Sequence, residues 1–379
     1  MQLQSAAIYR LSMDLVSPFT TSFGTQDKRH VTIVTVTDST GLVGYGECVS
    51  NEDPLYTEEF LDASIIAMKK YFIPLVLNAD ISHPNGVSDV LKNFKRNNMG
   101  KAGLEGAVWD LYAKQLGKPL HEVLGGVKSS VEVGVSLGLE DTDEAVVARV
   151  SEKVSEGYKR IKVKIKPGRD VELIRKIREV HPDVSLMADA NSAYTLDDIV
   201  VLRQLDEFNL MMIEQPLGHD DMLDHAALQK EIRTPVCLDE SIDSFKAAKD
   251  AIALDACKII NLKIARVGGI TESLRIHELA EANGIPMWCG GMLEAGVGRM
   301  HNIAITTLSN FTLPGDTASS DRYWHKDIIV PPVVARDGVV TVSDEPGIGA
   351  EIDWATLREY LVEEIVIEKG TAPDMIFSE

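Results

Sequence analysis

RIKVKI, residues 160–165, opens a series of short apolar runs that return at a near-constant interval. VSLMAD (184–189), LMMIE (210–214), PVCLD (235–239) and KIINLK (258–263) follow it. Each carries an ionisable residue at or near its end: Lys164, Asp189, Glu214, Asp239 and Lys263, separated by 25, 25, 25 and 24 residues. One strand, one helix and their turns fill such an interval, so the period predicts consecutive βα units. In a parallel barrel the ends of successive strands face one mouth, where catalytic groups gather. One chain direction and one period therefore bring two lysines and three carboxylates together.

The rhythm extends to both sides. VEVGVSL (131–137) precedes the five runs, and IPMWCGG (285–291) and FTLPGD (311–316) follow them, giving eight candidate strands. Helical stretches such as TDEAVVARVSEKVSEGY (142–158) and DVELIRKIREVH (170–181) lie between. This alternation predicts an α/β fold, a (β/α) barrel and not an open doubly wound sheet. Glycine fingerprints for nucleotide phosphates are absent in context.

Residues 1–125 do not keep this rhythm. AAIYRLSMDL (6–15), VTIVTVTD (31–38) and GLVGYGEC (41–48) read as a three-strand meander. The stretches 58–77 and 103–117 read as helices. Between the first two strands runs SPFTTSFGTQDKRH (17–30), a polar loop whose Phe19 and Phe23 make it a candidate lid. Anchoring of the two rings in the core is the competing reading. The expected division is an α+β segment at 1–125, the barrel at 126–330, and a tail at 331–379 that returns to the first segment.

Composition narrows the function classes. At 379 residues, with 45% hydrophobic and 25% charged content, the chain reads as a soluble globular protein. A net charge of −20 argues against nucleic acid or an anionic membrane as partner. It leaves room for a small-molecule carboxylate substrate, because lysines and a metal reverse the sign locally. Cys48, Cys237, Cys257 and Cys289 have no zinc-like spacing and read as buried reduced thiols of a cytoplasmic protein. Neither a signal peptide nor a membrane span is expected. Symmetric self-association is the default for such a barrel, so a homo-oligomer is expected.

Lys162 and Lys164 alternate along one strand, so both ammonium groups point to one face. Ile161, Val163 and Ile165 need a buried side, which turns the lysines inward rather than to solvent. Like charges held close disfavour the charged form, so each lysine is expected to lower the other's pKa, and one near neutrality serves as a base. Asp189, Glu214 and Asp239 would repel one another without a cation. Oxygen-only ligands favour magnesium over zinc. Helix N-caps at three strand ends would be the mundane alternative, but they do not explain the equal spacing. Lys263 stands opposite Lys164 by strand count, and Arg266 is a candidate neighbour that tunes it.

IKVKIKPG (161–168), ADANSAYT (188–195), IEQPL (213–217), LDES (238–241), NLKIARVGG (261–269), WCGGMLEAGVGR (288–299) and FTLPGDTASSDRY (311–323) resemble the enolase superfamily, in its muconate-lactonizing subgroup. Within it they are most similar to the family of o-succinylbenzoate synthases and N-succinylamino acid racemases. SPFTTSFGT, GYGEC and Pro54-Leu55-Tyr56 extend the resemblance over nearly the whole chain. It implies a (β/α)7β-type TIM barrel with an N-terminal α+β capping domain. It implies magnesium, with manganese as a substitute, on Asp189, Glu214 and Asp239. Lys164 would take the proton alpha to the substrate carboxylate, helped by Lys162. Lys263 would stabilise the enediolate in dehydration and act as second acid/base in racemisation. Ser136, Asn191, Gly291, Met292 and Leu293 would line the substrate pocket, under a lid carrying Phe19 and Phe23.

The implied reaction is the syn dehydration of 2-succinyl-6-hydroxy-2,4-cyclohexadiene-1-carboxylate in menaquinone biosynthesis. Racemisation of N-acylamino acids is the alternative physiological role, since it uses the same residues. A dipeptide epimerase is disfavoured because Gly315-Asp316-Thr317-Ala318 lacks the second acid of that group's Asp-x-Asp pair. A non-catalytic binding barrel would need a missing ligand or base, and none is missing.

Overall fold

The computed structural model describes residues 1–21, 24–138 and 140–375. Two sheets organise them. The first is antiparallel, in the order Leu361–Glu368, Leu3–Thr21, Gly24–Asp38, Val43–Cys48. Its outer strand comes from the tail of the chain, and pairs Ser5 with Glu368 and Ile8 with Ile365. The helix Asn98–Leu116 packs across this sheet and ends at Gly117, whose φ of 63° suits glycine. The long helix expected at 58–77 is instead Leu61–Ala67, a wide turn at Met68–Phe72, and Ile73–Asn78. Pro74 cannot donate a backbone bond to the preceding turn, and it falls directly after the wide turn, where the regular bonding is already interrupted.

The second sheet is parallel and holds seven strands in sequence order: Val135–Ser136, Ile161–Lys164, Leu186–Asp189, Ile213–Glu214, Val236–Leu238, Ile259–Leu262 and Met287–Cys289. The helices Asp143–Ser155 and Val171–Val180 follow the first and second strands, capped by the side chains of Thr142 and Asp170. The expected eighth strand, FTLPGD, is not continuous. Pro314 lacks an N–H, and the segment joins its neighbours through separate bonds: Gly134 N to Gly315 O at 2.8 Å and Asp316 N to Cys289 O at 2.8 Å. Those bonds close the barrel between its seventh and first strands.

Period-two alternation divides the barrel strands cleanly. Ile161, Val163, Leu186, Ala188, Val236, Leu238, Ile260 and Leu262 face the helices and belong to the large apolar core. Met187, Met212, Cys237, Ile259 and Trp288 form a small plug. One residue pair further along the same inward-facing rows stand Asp189, Glu214, Asp239 and Asn261, with Lys263 a further pair beyond Asn261. An apolar floor thus supports a polar mouth. All four cysteines are buried and free. Among the described residues no helix is long and apolar enough to cross a membrane.

The expected lid is a hairpin rather than a loop. Its strands run on to Thr21 and restart at Gly24, pairing Phe19 with Gln26 and Thr20 with Thr25. β-branched threonines suit this pairing better than open coil. Phe23 lies outside the described residues, and Phe19 is placed by its backbone alone.

Candidate active site

Strand register brings the charged side chains together. Lys164 is the lateral partner of Asp189, and Asp189 that of Glu214. Lys164 Nζ donates to Asp189 Oδ2 at 2.6 Å and to Asn191 Oδ1 at 2.5 Å. Lys162 Nζ lies 3.0 Å from Glu214 Oε2, 3.2 Å from Asp189 Oδ2 and 3.5 Å from Asp316 Oδ2. Across the mouth, Lys263 Nζ donates to Asp239 Oδ2 at 2.9 Å, and Arg266 pairs with the other oxygen of Asp239. Asn261 Nδ2 donates to Glu214 Oε1 at 2.7 Å. Both lysines predicted to face each other therefore reach one carboxylate cluster from barrel strands two and six.

Burial makes these charges consequential. Glu214 is fully buried, and burial followed by the charge of Asp189 pushes its carboxyl up to about 8 despite Lys162. Burial also pushes Asp189 and Asp239 up, but Lys164 and Lys162 outweigh it at Asp189, as Arg266 and Lys263 do at Asp239, so both are held below the usual carboxylate range. Glu240 is raised to about 7 by burial and by Asp239 and Asp189. The balance at Lys162 differs from the sequence expectation. Burial pulls its ammonium down, but Glu214, Asp316 and Asp189 together hold it well above the lysine range. Counting only the neighbouring lysine left out three carboxylates.

A cavity of about 420 Å³ opens over this cluster. Its wall includes Lys162, Lys164, Asp189, Asp239 and Lys263, together with the expected pocket residues Ser136, Asn191, Gly291, Met292 and Leu293. Glu214 sits beneath the wall, not on it. The barrel adds Glu294, Arg299, Asp316 and Tyr323, and the cap supplies residues from Gly24–His30 and from Asn51–Tyr56. Leu293 holds a left-handed φ of 57°, a strained conformation for leucine in the loop after the seventh strand.

Several residues of the site were not singled out from the sequence. The hydroxyl of Tyr56, from the cap, accepts from Lys263 Nζ at 2.8 Å. Asp316 accepts from Ser136 Oγ at 3.0 Å and from Arg160 Nη2 at 2.5 Å. Arg29 bridges cap and barrel, donating to Val49 O at 2.5 Å and to Met292 O at 3.3 Å. None belongs to the evenly spaced series of lysines and carboxylates, and their presence inside the quoted stretches is the one signal that could have flagged them. Arg266 meets Asp239, and acts on Lys263 through that shared carboxylate.

The donor set suits a hard divalent cation in its chemistry: three buried carboxylates without thiol or imidazole. Glu240 Oε2 and Asn261 Oδ1, beside them, are buried acceptors without a hydrogen-bond partner. The carboxylate oxygens are nonetheless turned to the ammonium groups. Among the described residues no three His, Cys, Asp or Glu side chains stand in the geometry of a formed metal cluster.

A family model described as enolase C-terminal domain-like matches residues 145–356, and one for the mandelate racemase / muconate lactonizing enzyme N-terminal domain matches residues 5–125. The chain belongs to the enolase superfamily. Among superfamily relatives, an o-succinylbenzoate synthase from Geobacillus stearothermophilus is 52% identical over 94% of this chain and 96% of its own length. An N-succinylamino acid racemase from Thermus thermophilus is 47% identical over 93% of this chain and 95% of its own. The crystal structure of a superfamily member from Listeria innocua matches with a TM-score of 0.95 at 40% identity, covering 97% of this chain and 99% of that one. A dipeptide epimerase from Cytophaga hutchinsonii, crystallised with Mg and D-Ala-L-Val, matches with a TM-score of 0.90 at 26% identity, covering 97% of this chain and 100% of that one.

Proposed function

We propose that this enzyme is an o-succinylbenzoate synthase of menaquinone biosynthesis, and that the same site racemises N-succinylamino acids. The observation that carries the reading is the pair Lys164 and Lys263, which reach one cavity from barrel strands two and six with Asp189 and Asp239 between them. The full-length similarity to relatives of both names supports it.

In this reading Asp189, Glu214 and Asp239 hold magnesium, or manganese in its place, and the bound ion supplies positive charge to a substrate carboxylate. The remaining work belongs to the chain. Lys164, as the base, removes the proton alpha to the carboxylate of 2-succinyl-6-hydroxy-2,4-cyclohexadiene-1-carboxylate. The ammonium so formed returns that proton to the departing hydroxyl. The C–H and C–O bonds break, water leaves, and the ring becomes aromatic. One base on one face is enough for this syn elimination. Charged Lys263 faces the enediolate from the other side, where a fixed charge in a closed site is worth far more than in water. For an N-succinylamino acid, Lys263 instead delivers a proton to that face, and the centre inverts. Met292 and Leu293 on the barrel side and the Gly24–His30 segment of the cap shield the reaction from water.

The reading also divides the chain. Residues 1–125 cap and select, 126–330 carry the acid/base and metal groups, and 331–379 return to the cap. A symmetric homo-oligomer in the cytoplasm completes the proposal. N-acylamino acid racemisation as the physiological role is the second reading, favoured by the same two-sided lysine pair.

The test supplies both substrates to the purified protein with magnesium and compares kcat/KM. Chelation should abolish both activities, and magnesium or manganese should restore them. Full activity in excess chelator would refute the metal role, and dehydration slower than racemisation at every substrate concentration would favour the second reading.

A further inference from the structure

Lys164 and Lys263 are anchored differently. Both partners of Lys164 Nζ, Asp189 and Asn191, belong to the barrel. Lys263 Nζ has one barrel partner, Asp239 at 2.9 Å, and one from the cap, the Tyr56 hydroxyl at 2.8 Å. An ammonium group carries three donors, so the cap directs one of them and bears on where the others point.

The hydroxyl is itself held. It donates to Asp239 Oδ2 at 3.3 Å, and Arg266 Nη1 lies 3.4 Å from it. The Tyr56 ring centroid lies 5.0 Å from Lys263 Nζ. Tyr56 rides on a segment closed at its base, where Asn51 bridges to Phe60 and Leu61 N donates to Asn51 O at 2.7 Å. The position of this cap segment therefore carries directly to one of the two lysines and not to the other. The division of labour proposed above, with selection in the cap and chemistry in the barrel, is breached at this contact.

Resting on the two-lysine reading above, we propose that Tyr56 is a positioning residue that holds Lys263 in register with one face of the substrate's α-carbon. The cap thereby acts on proton transfer at Lys263 while leaving Lys164 to the barrel alone. Release of the 51–60 segment would disarm the Lys263 face and leave the enzyme one-sided.

Tyr56→Phe removes the hydroxyl and keeps the ring, so the fold is conserved. The full-length protein, supplied with magnesium, is given each enantiomer of an N-succinylamino acid in deuterated water, and α-proton exchange is followed by NMR. Lys263→Ala identifies which enantiomer each lysine serves. In Tyr56→Phe, exchange of the Lys263-served enantiomer should fall on the order of tenfold or more, as expected for the loss of a hydrogen bond to a charged group. Exchange of the Lys164-served enantiomer should hold at the wild-type rate. Leu55→Ala, on the same segment and on the cavity wall, should change KM for both enantiomers alike. Equal slowing of both enantiomers in Tyr56→Phe, or of neither, overturns the proposal. A second readout needs no substrate. In protein labelled with 15N-lysine, the Nζ signal of Lys263 should shift in Tyr56→Phe while that of Lys164 stays in place. An unmoved Lys263 signal overturns the proposal, even if the wild-type protein proved to exchange no N-succinylamino acid and the functional reading fell.

Discussion

Asp189 and Asp239 each keep a cation when one lysine is removed, and this makes the two lysines testable one at a time. Lys164→Ala leaves Asp189 with Lys162 at 3.2 Å, and Lys263→Ala leaves Asp239 with Arg266. Both variants should therefore fold, and their losses can be read as chemistry. Lys263→Ala should abolish racemisation while the enantiomer served by Lys164 still exchanges with retention, and Lys164→Ala should give the mirror pattern. Dehydration should vanish in Lys164→Ala. It should fall by on the order of 10²–10³ in Lys263→Ala, the loss typical of one charge contact to a transition state. Racemisation at the wild-type rate in Lys263→Ala would sink the two-sided assignment. These two lysines and the three carboxylates were legible because each repeats a type of residue at a fixed place in a fixed period. Tyr56 was not, since it enters from the cap, and Arg160 and Asp316 stand on the runs RIKVKI and FTLPGD but outside the evenly spaced series of ionisable residues. The charge state of Lys162 was misjudged for a related reason: its dominant neighbours, Glu214 and Asp316, lie 52 and 154 residues away along the chain.

The helix Asn98–Leu116 shows what a single element demands of the one it packs on. A Cβ on Gly46 would lie 2.0 Å from Gly103 O, and one on Gly44 2.1 Å from Ala107 O. Backbone meets backbone here, so neither partner has a flexible side chain to move. Gly46→Ala should lower stability by about 1–3 kcal/mol, the usual cost of forcing extra volume into a packed core. Urea unfolding checks this, and an unchanged midpoint would show that the helix lifts off the sheet at no cost. The same glycines illustrate a limit of pattern reading. Alternation in VTIVTVTD located that strand, and GLVGYGEC was expected as the next strand of the meander. Nothing in GYGEC announced that its glycines admit a helix. The failures at element scale have the same character. FTLPGD has the composition of a strand, but Pro314 and the closure geometry reduce it to isolated bridges. The lid segment has the composition of a loop, yet its threonines extend the neighbouring strands.

Taken as a whole, the molecule depends on a joint between cap and barrel that no period in the sequence describes. Beside Arg29 and Tyr56, two buried carboxylates of the cap bond into it. Glu47 accepts from Ala295 N at 2.9 Å and Gly298 N at 2.7 Å, at the start of the helix after the seventh strand. Glu105 accepts from Thr271 N at 3.3 Å, at the start of the helix after the sixth. Barrel residues were foreseen from spacing, but a joint is a match between surfaces distant in sequence, and its polar contacts emerge only once both sides are folded. Burial and the charge of Glu294 push Glu47 up to about 8, and burial pushes Glu105 up to about 7, against the hydrogen bonds that lower it. In the native state both groups therefore keep a proton over a range where the unfolded chain has released it. Their contribution to stability is full below the ordinary carboxylate range and is lost as pH rises through 7 and then 8. Stability falls with pH wherever the native state binds more protons than the unfolded one. Each tenfold difference in proton affinity is worth about 1.4 kcal/mol, so the effect is large enough to measure. Glu47→Gln and Glu105→Gln carry no titrating group, and each should flatten the fall of the urea midpoint between about pH 5 and pH 8.5. Comparing each variant with the wild type cancels the carboxylates at the barrel mouth, which titrate alike in both. Both variants should flatten the fall from the ordinary carboxylate range upward, the Glu105 effect ending near its native value of about 7 and the Glu47 effect reaching about 8. Parallel curves for wild type and both variants would mean that these carboxylates stay ionised at the joint, held by the helix N-termini they cap.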